Sequence, residues 1–450
     1  MLERKRSLLV IILLILISAI GIYNILHYDS IDGYDAEAHY NYVDHFSRYL
    51  PYQINLPDRD NSREFFNPPL GYLVPSITQV ICRNIINSET LLEDCRPIYG
   101  TVSQIIQLIL YIFTIFINIK TLNLFFDNKK DTKFEYLIFV SLMAVNYKTI
   151  VQIRGEPYIL LFLSCLLYIF LSAEKQDFNR NRINVLGFGL CIGLLALSRQ
   201  WAFLLFPAFF ILIFHTKQKQ KYNYIRFIFS SFFIGFLLSS WYYFSLLFRY
   251  GSFTAFNKEP IGFSFLNQPT NFYIPNLSDL YLLFTKPIRP NFGNQFISIL
   301  YSDFWGDYWG YFSFTSRKLE LGRNQLLIGD YLARVNIVSL LATFFLIFCF
   351  FNFRKYHKSS IFSKYISYSV IISFFGYLWF LISYPDLPTG DTNKATYMVQ
   401  FFNLLLIPAS IKLVVLRESK HVLYKPIVFY LILTFFHNFS TYLSHFPFRF

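Results

Sequence analysis

Three carboxylates crowd the stretch Asp32-Gly33-Tyr34-Asp35-Ala36-Glu37-Ala38-His39-Tyr40. A carboxylate held within reach of an attacking hydroxyl can take its proton, so this cluster can supply a general base. Beyond it, Tyr40, Val43, Phe46 and Leu50 recur every three to four residues, which predicts an amphipathic helix lying on a membrane surface. Asp35 then stands at or just before the helix start, with Glu37 in the first turn. Capping and the helix dipole account for acids at such a place, yet three within six residues exceed what a cap needs. Further on, Arg63-Glu64-Phe65-Phe66-Asn67-Pro68-Pro69-Leu70-Gly71-Tyr72 fixes an extended entry and starts a second surface helix near Leu70.

The matching positive charges are Lys148, Arg154 and Arg199, at the ends of long apolar runs, with Glu156 beside them. Fixed cations of this kind stabilise a departing phosphate. Charges at such ends also serve as interfacial anchors that reach back to water, but ionisable groups at membrane depth usually carry function. A lone Lys394 precedes another apolar run. Aromatic rings interleave with acids in Tyr301-Ser302-Asp303-Phe304-Trp305-Gly306-Asp307-Tyr308-Trp309-Gly310-Tyr311, either a sugar-stacking surface built on Asp303, Trp305 and Asp307 or an interfacial helix. His39 and His45 lack a convincing metal-ligand set and read as polar residues of the surface helix.

What must hold these residues is a membrane bundle. The chain is 54% hydrophobic with mean hydropathy +0.39, too apolar for an ordinary soluble protein of this length. Runs long enough to cross a hydrocarbon core fall at residues 7–28, 99–119, 134–150, 157–172, 183–197, 201–215, 227–248, 331–351, 365–383, 397–411 and 426–442. That makes about eleven helical spans, because lipid cannot satisfy free backbone groups. The first run is longer than a signal-peptide core and is expected to stay as a span. With the amino terminus inside, the alternate connections 1–6, 120–133, 173–182, 216–226, 353–364 and 412–425 carry 22 of the 40 Lys and Arg residues and few acids. The net charge of +13 thus follows the positive-inside rule and gives no reason to invoke nucleic acid.

The polar residues gather in outer segments 29–98, 249–330 and 384–396, which form one working face on a single domain spanning 1–450. Transporters place polar residues mid-span and keep loops short, unlike this chain. Cys82 and Cys95 share the first outer loop, where an oxidising compartment would allow a disulfide.

An inner basic amino terminus, one span, an acidic motif opening a surface helix and an x-Pro-Pro-Leu-x-Tyr turn together resemble the membrane-embedded GT-C glycosyltransferases. The chain looks most like the group of the protein O-mannosyltransferases and the aminoarabinose-to-lipid-A transferases. The matching residues are Tyr34-Asp35-Ala36-Glu37-Ala38-His39-Tyr40 and Asn67-Pro68-Pro69-Leu70-Gly71-Tyr72 and, more loosely, Arg154-Gly155-Glu156 and Leu195-Ala196-Leu197-Ser198-Arg199. Many relatives have adjacent Asp-Glu where Ala36 intervenes here. The resemblance implies an all-α polytopic enzyme that inverts a sugar as it leaves a polyprenyl-phosphate carrier for a lipid, glycan or protein acceptor. It implies Asp35 as base, with Glu37 and Glu156 holding the acceptor or a divalent cation. Lys148, Arg154, Arg199 and Lys394 would meet the lipid phosphate, and Asp32, His39, Asn67, Asp303, Trp305 and Asp307 the substrates. A divalent cation is the one candidate cofactor. The expected setting is a plasma membrane, with the site on the extracytoplasmic face. The competing readings are a surface-glycan polymerase or ligase, and a transporter or flippase.

Overall fold

The computed structural model describes residues 2–30, 33–86, 95–179, 181–289, 293–313, 323–357 and 360–444; Asp32 lies outside them. Among the described residues all regular structure is helical. In chain order the helices are α1 (Leu2–His27), α2 (Ala36–Ser47), α3 (Leu70–Ile86), α4 (Arg96–Phe125), α5 (Lys133–Ser141), α6 (Ala144–Ile150), α7 (Glu156–Lys175), α8 (Arg182–Ser198) and α9 (Pro207–His215). They continue with α10 (Gln218–Tyr250), α11 (Thr270–Tyr273), α12 (Leu277–Leu283), α13 (Phe296–Trp305), α14 (Arg323–Tyr356), α15 (Ile361–Ser383), α16 (Val399–Glu418) and α17 (Tyr424–His437).

Every expected span falls on helix. Among the described residues seven helices are long and apolar enough to cross a membrane on their own, and Arg182–Ser198, Gln200–His215 and Tyr424–His437 are shorter apolar helices. The expected span 134–150 is broken into α5 and α6 at Leu142-Met143, where Met143 leaves helical geometry at φ −82°, ψ 82°. All of α6 is buried in protein, which is where a broken backbone at membrane depth is tolerated. One contiguous buried core runs from Val10 to Leu443.

The six basic connections meet at one end of the bundle. Arg6 and Arg417 both pair with Glu135, at 2.5 and 2.8 Å. Lys175 pairs with Asp127, Gln220 donates to Asp177, and Glu174 accepts from the backbone of Ile361 and Phe362. The acidic and Pro-Pro segments lie at the other end. There α2 departs from expectation: Tyr40, Val43 and Phe46 are buried against α3 and α4 rather than turned to a membrane surface. Asp44 of α2 explains the docking, since it pairs with Arg96 at 2.7 Å and accepts from Tyr99 at 3.1 Å. Cys82 and Cys95 form a disulfide that ties α3 to the start of α4.

Candidate functional site

Three motif segments are forced together by missing side chains. A Cβ on Gly155 would lie 1.8 Å from the carbonyl oxygen of Ser198, and one on Gly71 would lie 2.8 Å from the Gly155 nitrogen. The Pro-Pro turn, the Arg154-Gly155-Glu156 corner and the Ser198-Arg199 helix end therefore meet backbone to backbone. Tyrosines and an amide lock the turn: Tyr42 donates to the Asn67 carbonyl at 3.1 Å, while Tyr242 and Gln200 donate to the Phe66 carbonyl at 2.5 and 2.8 Å. Asn67 Nδ2 donates to Glu64 and, at 3.0 Å, to the Tyr72 hydroxyl. Asn67 is thus a buried brace of the turn.

Three cations converge above this junction and share two rings. Arg154 and Lys394 lie 5.1 and 4.7 Å from the centroid of Tyr34, and Lys394 and Arg199 each lie 5.6 Å from that of Tyr397. Rings in such positions attract cations through their electron-rich faces. Arg154 is buried, donating to the Tyr34 carbonyl at 3.1 Å and to Thr396 Oγ1 at 3.4 Å. Arg199 donates from Nε to Glu156 at 3.0 Å and lies 3.6 Å from Glu64. Lys394 starts a 3₁₀ turn, Ala395–Met398, in which residues three apart lie over one another. That explains why Lys394 and Tyr397 act as a pair at a spacing of three.

Asp35 faces this cluster. It occupies the N-cap position of α2 with φ 54° and ψ 24°, a left-handed conformation that Asp tolerates, and its side chain makes no capping bond. Instead its carboxylate accepts from Lys394 Nζ at 3.2 Å, with 38% of the side chain exposed. Lys394, and to a lesser degree His39, hold the carboxyl well below the usual carboxylate range against the opposing effect of burial. Burial pulls Lys394 down, but Tyr397 and Asp35 outweigh it and raise it. His39 is buried with Nδ1 2.7 Å from the Tyr72 hydroxyl, and burial beside Arg154 and Arg199 pushes it well below its ordinary value. Its ring links α2 to α3.

The other expected site residues separate from this group. Lys148, expected at the phosphate, is wholly enclosed, and its ammonium is consumed by the Asp303 carbonyl at 2.5 Å, Asp303 Oδ1 at 2.6 Å and the Gly306 carbonyl at 3.0 Å. It closes the carboxyl end of α13, where a cation is favoured. Asp303, expected at the sugar, is enclosed with it, and its second oxygen accepts from the Ala395 nitrogen at 2.7 Å. Trp305 is buried and donates to Thr343 at 2.8 Å. Asp307 is buried and accepts from the backbone of Tyr311, Phe312 and Ser313. The aromatic-acidic segment is thus a packed brace behind Lys394, because its carboxylates are spent on backbone and lysine. Glu37 is exposed in the first turn of α2, where it complements the helix dipole.

Among the described residues no three His, Cys, Asp or Glu side chains gather to hold a metal ion, and Asp35, Glu64 and Glu156 already face Lys394 and Arg199. Tyr34 and Glu64 went unassigned in the sequence, their only signal being position within the quoted segments, and the signal of Tyr397 was its place three residues after Lys394.

No family model and no curated protein sequence matches the chain. Solved structures of similar fold do exist. The apo oligosaccharyltransferase of Archaeoglobus fulgidus superposes with a TM-score of 0.54 at 13% identity, covering 98% of this chain and 57% of that one. The same enzyme tethered through a disulfide to an acceptor peptide containing the NVT sequon gives 0.52 at 12%, covering 98% and 56%. The chain spans little more than half the length of these proteins. The likeness shows that this chain shares the fold of those structures over 98% of its length.

Proposed function

We propose that the protein is a GT-C-type glycosyltransferase that moves a sugar from a polyprenyl-phosphate-linked donor to an envelope acceptor, inverting the anomeric carbon. The fold it shares with an oligosaccharyltransferase supports the class. The observation that carries the reading is Asp35: a partly exposed carboxylate that declines its capping role and instead faces Lys394 beside buried Arg154 and Arg199. The motif spacing supports the monosaccharide-transferring group, and the basic connections support a cytosolic amino terminus.

In this reading the acceptor hydroxyl attacks the anomeric carbon. The oxygen–carbon bond forms as the bond to the phosphate oxygen breaks, the hydroxyl proton passes to Asp35, and the carrier phosphate keeps the bonding electron pair. Charge counting adds an order to these events. Arg199 faces Glu64 and Glu156, Lys394 faces Asp35, and Arg154 donates only to neutral oxygens, so a phosphate that spans all three cations must displace a carboxylate from one of them. Glu64 and Glu156 are buried, whereas Asp35 is exposed. Donor binding therefore takes Lys394 and releases Asp35 as a stronger base when the acceptor arrives.

The test is transfer from a panel of radiolabelled polyprenyl-phosphate sugars in detergent. Asp35→Asn is expected to abolish transfer while leaving carrier binding intact. Undiminished transfer by that variant sinks the assignment.

A further inference from the structure

At the end of the bundle opposite Asp35, a cavity of about 620 Å³ is walled by Phe125, Phe126 and Leu171. A second cavity of about 340 Å³ shares His215, His357 and Lys364 with it. Together they are lined by the cations Lys175, Lys217, Lys364 and Arg354 and the acids Asp127 and Glu174. Both acids are committed. Asp127 pairs with Lys175, and Glu174 accepts from Ile361 and Phe362 at 2.6 and 2.9 Å, closing the amino end of α15. Among the described residues no carboxylate pairs with Lys217, Lys364 or Arg354.

Basic residues scattered along connections would satisfy a sidedness rule without meeting. Here they arrive from three separate connections and line conjoined cavities of a size that holds small ligands. Lys364 is oriented by the His215 carbonyl at 3.3 Å, and the His215 ring lies 2.9 Å from the Tyr368 hydroxyl. Large rings stand exposed next to two lining residues: Phe214, the residue before His215, is 82% exposed, and Phe351, about one turn before Arg354, is 59% exposed. A ligand suited to both features carries an anionic head and hydrocarbon chains. Basic pockets between membrane helices take phosphate headgroups for this reason.

We propose that these conjoined cavities seat the phosphate headgroup of an acidic membrane lipid, with Lys217, Lys364 and Arg354 on the phosphate and the acyl chains lying along Phe214. The site is separate from the Asp35 cluster and independent of the transferase reading.

The test titrates purified protein in detergent with phosphatidylglycerol and with phosphatidylcholine of the same acyl chains, reading retained adducts by native mass spectrometry. Phosphatidylglycerol is expected to be retained at concentrations about tenfold lower. Lys217→Gln weakens that preference and Lys217→Gln/Lys364→Gln erases it. Lys129→Gln, on an exposed residue at the same end but outside the cavity, changes nothing. Because Lys217 is exposed, its single variant folds and keeps the test decisive if the double variant does not. Equal retention of the two lipids, or a preference untouched by Lys217→Gln, overturns the proposal. Displacement of phosphatidylglycerol by millimolar inorganic phosphate makes free phosphate the ligand and also overturns it.

Discussion

Two Lys–Asp pairs stand at the same end of the molecule and behave as opposites. Lys148 and Asp303 are both fully enclosed, their contact is 2.6 Å, and their remaining hydrogen-bonding groups reach the Gly306 carbonyl and the Ala395 nitrogen. Lys394 and Asp35 touch at 3.2 Å, with the aspartate side chain 38% exposed and the lysine lying over two aromatic rings. The first pair is closed: no ligand can reach it without unpacking α13. The second can be exchanged, since a phosphate or a hydroxyl can replace either partner from solution. Burial and hydrogen-bond satisfaction, not residue type, separate a brace from a reactive pair. Asp303 connects the two, because its Oδ2 holds the turn that presents Lys394.

The sharpest break of this contrast is to neutralise each aspartate. Asp35→Asn is expected to lower kcat by about 10² to 10⁴, the contribution of a general base, with thermal stability unchanged because the residue is exposed and caps nothing. Asp303→Asn is expected to cost about 3–5 kcal/mol of stability, as removing one partner strands a buried lysine. Its loss of transfer should then track the folded fraction measured by circular dichroism. Full stability with lost transfer in Asp303→Asn would put that residue in the chemistry and dissolve the distinction.

Arg199 tests an intermediate case. It is buried like Lys148 but faces the cluster, holding Glu156 at 3.0 Å. Arg199→Lys keeps the charge while losing the planar fork, so folding is expected to survive. Affinity for the carrier should weaken about tenfold, a loss of about 1.4 kcal/mol, in a binding assay with polyprenyl phosphate. Unchanged affinity returns Arg199 to a purely structural role.

Much of the layout was legible because membrane constraints are strong and local. Apolar runs found the helices, charge asymmetry found the end where Arg6, Glu135 and Arg417 meet, and the crowded acids found Asp35. What stayed hidden required three dimensions. Nothing in the run Tyr301–Tyr311 says that its carboxylates point inward to Lys148 and to backbone nitrogens, since alternating rings and acids suit a solvent face equally well. The apolar spacing of Tyr40, Val43 and Phe46 could not distinguish lipid from the faces of α3 and α4. Nor could sequence reveal that Gly71, Gly155 and Ser198 touch, a contact between residues far apart in the chain.

Lys394→Met separates the two halves of the proposed order of events. In the free protein Lys394 holds the Asp35 carboxyl well below its usual range, so the acid limb of kcat/KM, which reports free enzyme, should lie below about pH 4. Once the donor phosphate has taken Lys394, that depression is relieved, and the acid limb of kcat should sit at higher pH. Met fills the same space without charge. In the variant the carboxyl rises toward its ordinary value in both states, so the kcat/KM limb should move up and the gap between the two profiles should close. The pair's small contribution to stability is present above the unfolded carboxyl's pKa and lost as pH falls through its depressed folded value. With Asp35 this exposed, that contribution is well under 1 kcal/mol, so melting near neutral pH should hardly change. Above pH 6 the base is ionised in both proteins, and a rise of about tenfold in donor KM there isolates the lost phosphate contact. Parallel pH profiles in the wild type would mean that Lys394 never leaves Asp35. The exchangeable pair would then be as closed as Lys148 and Asp303.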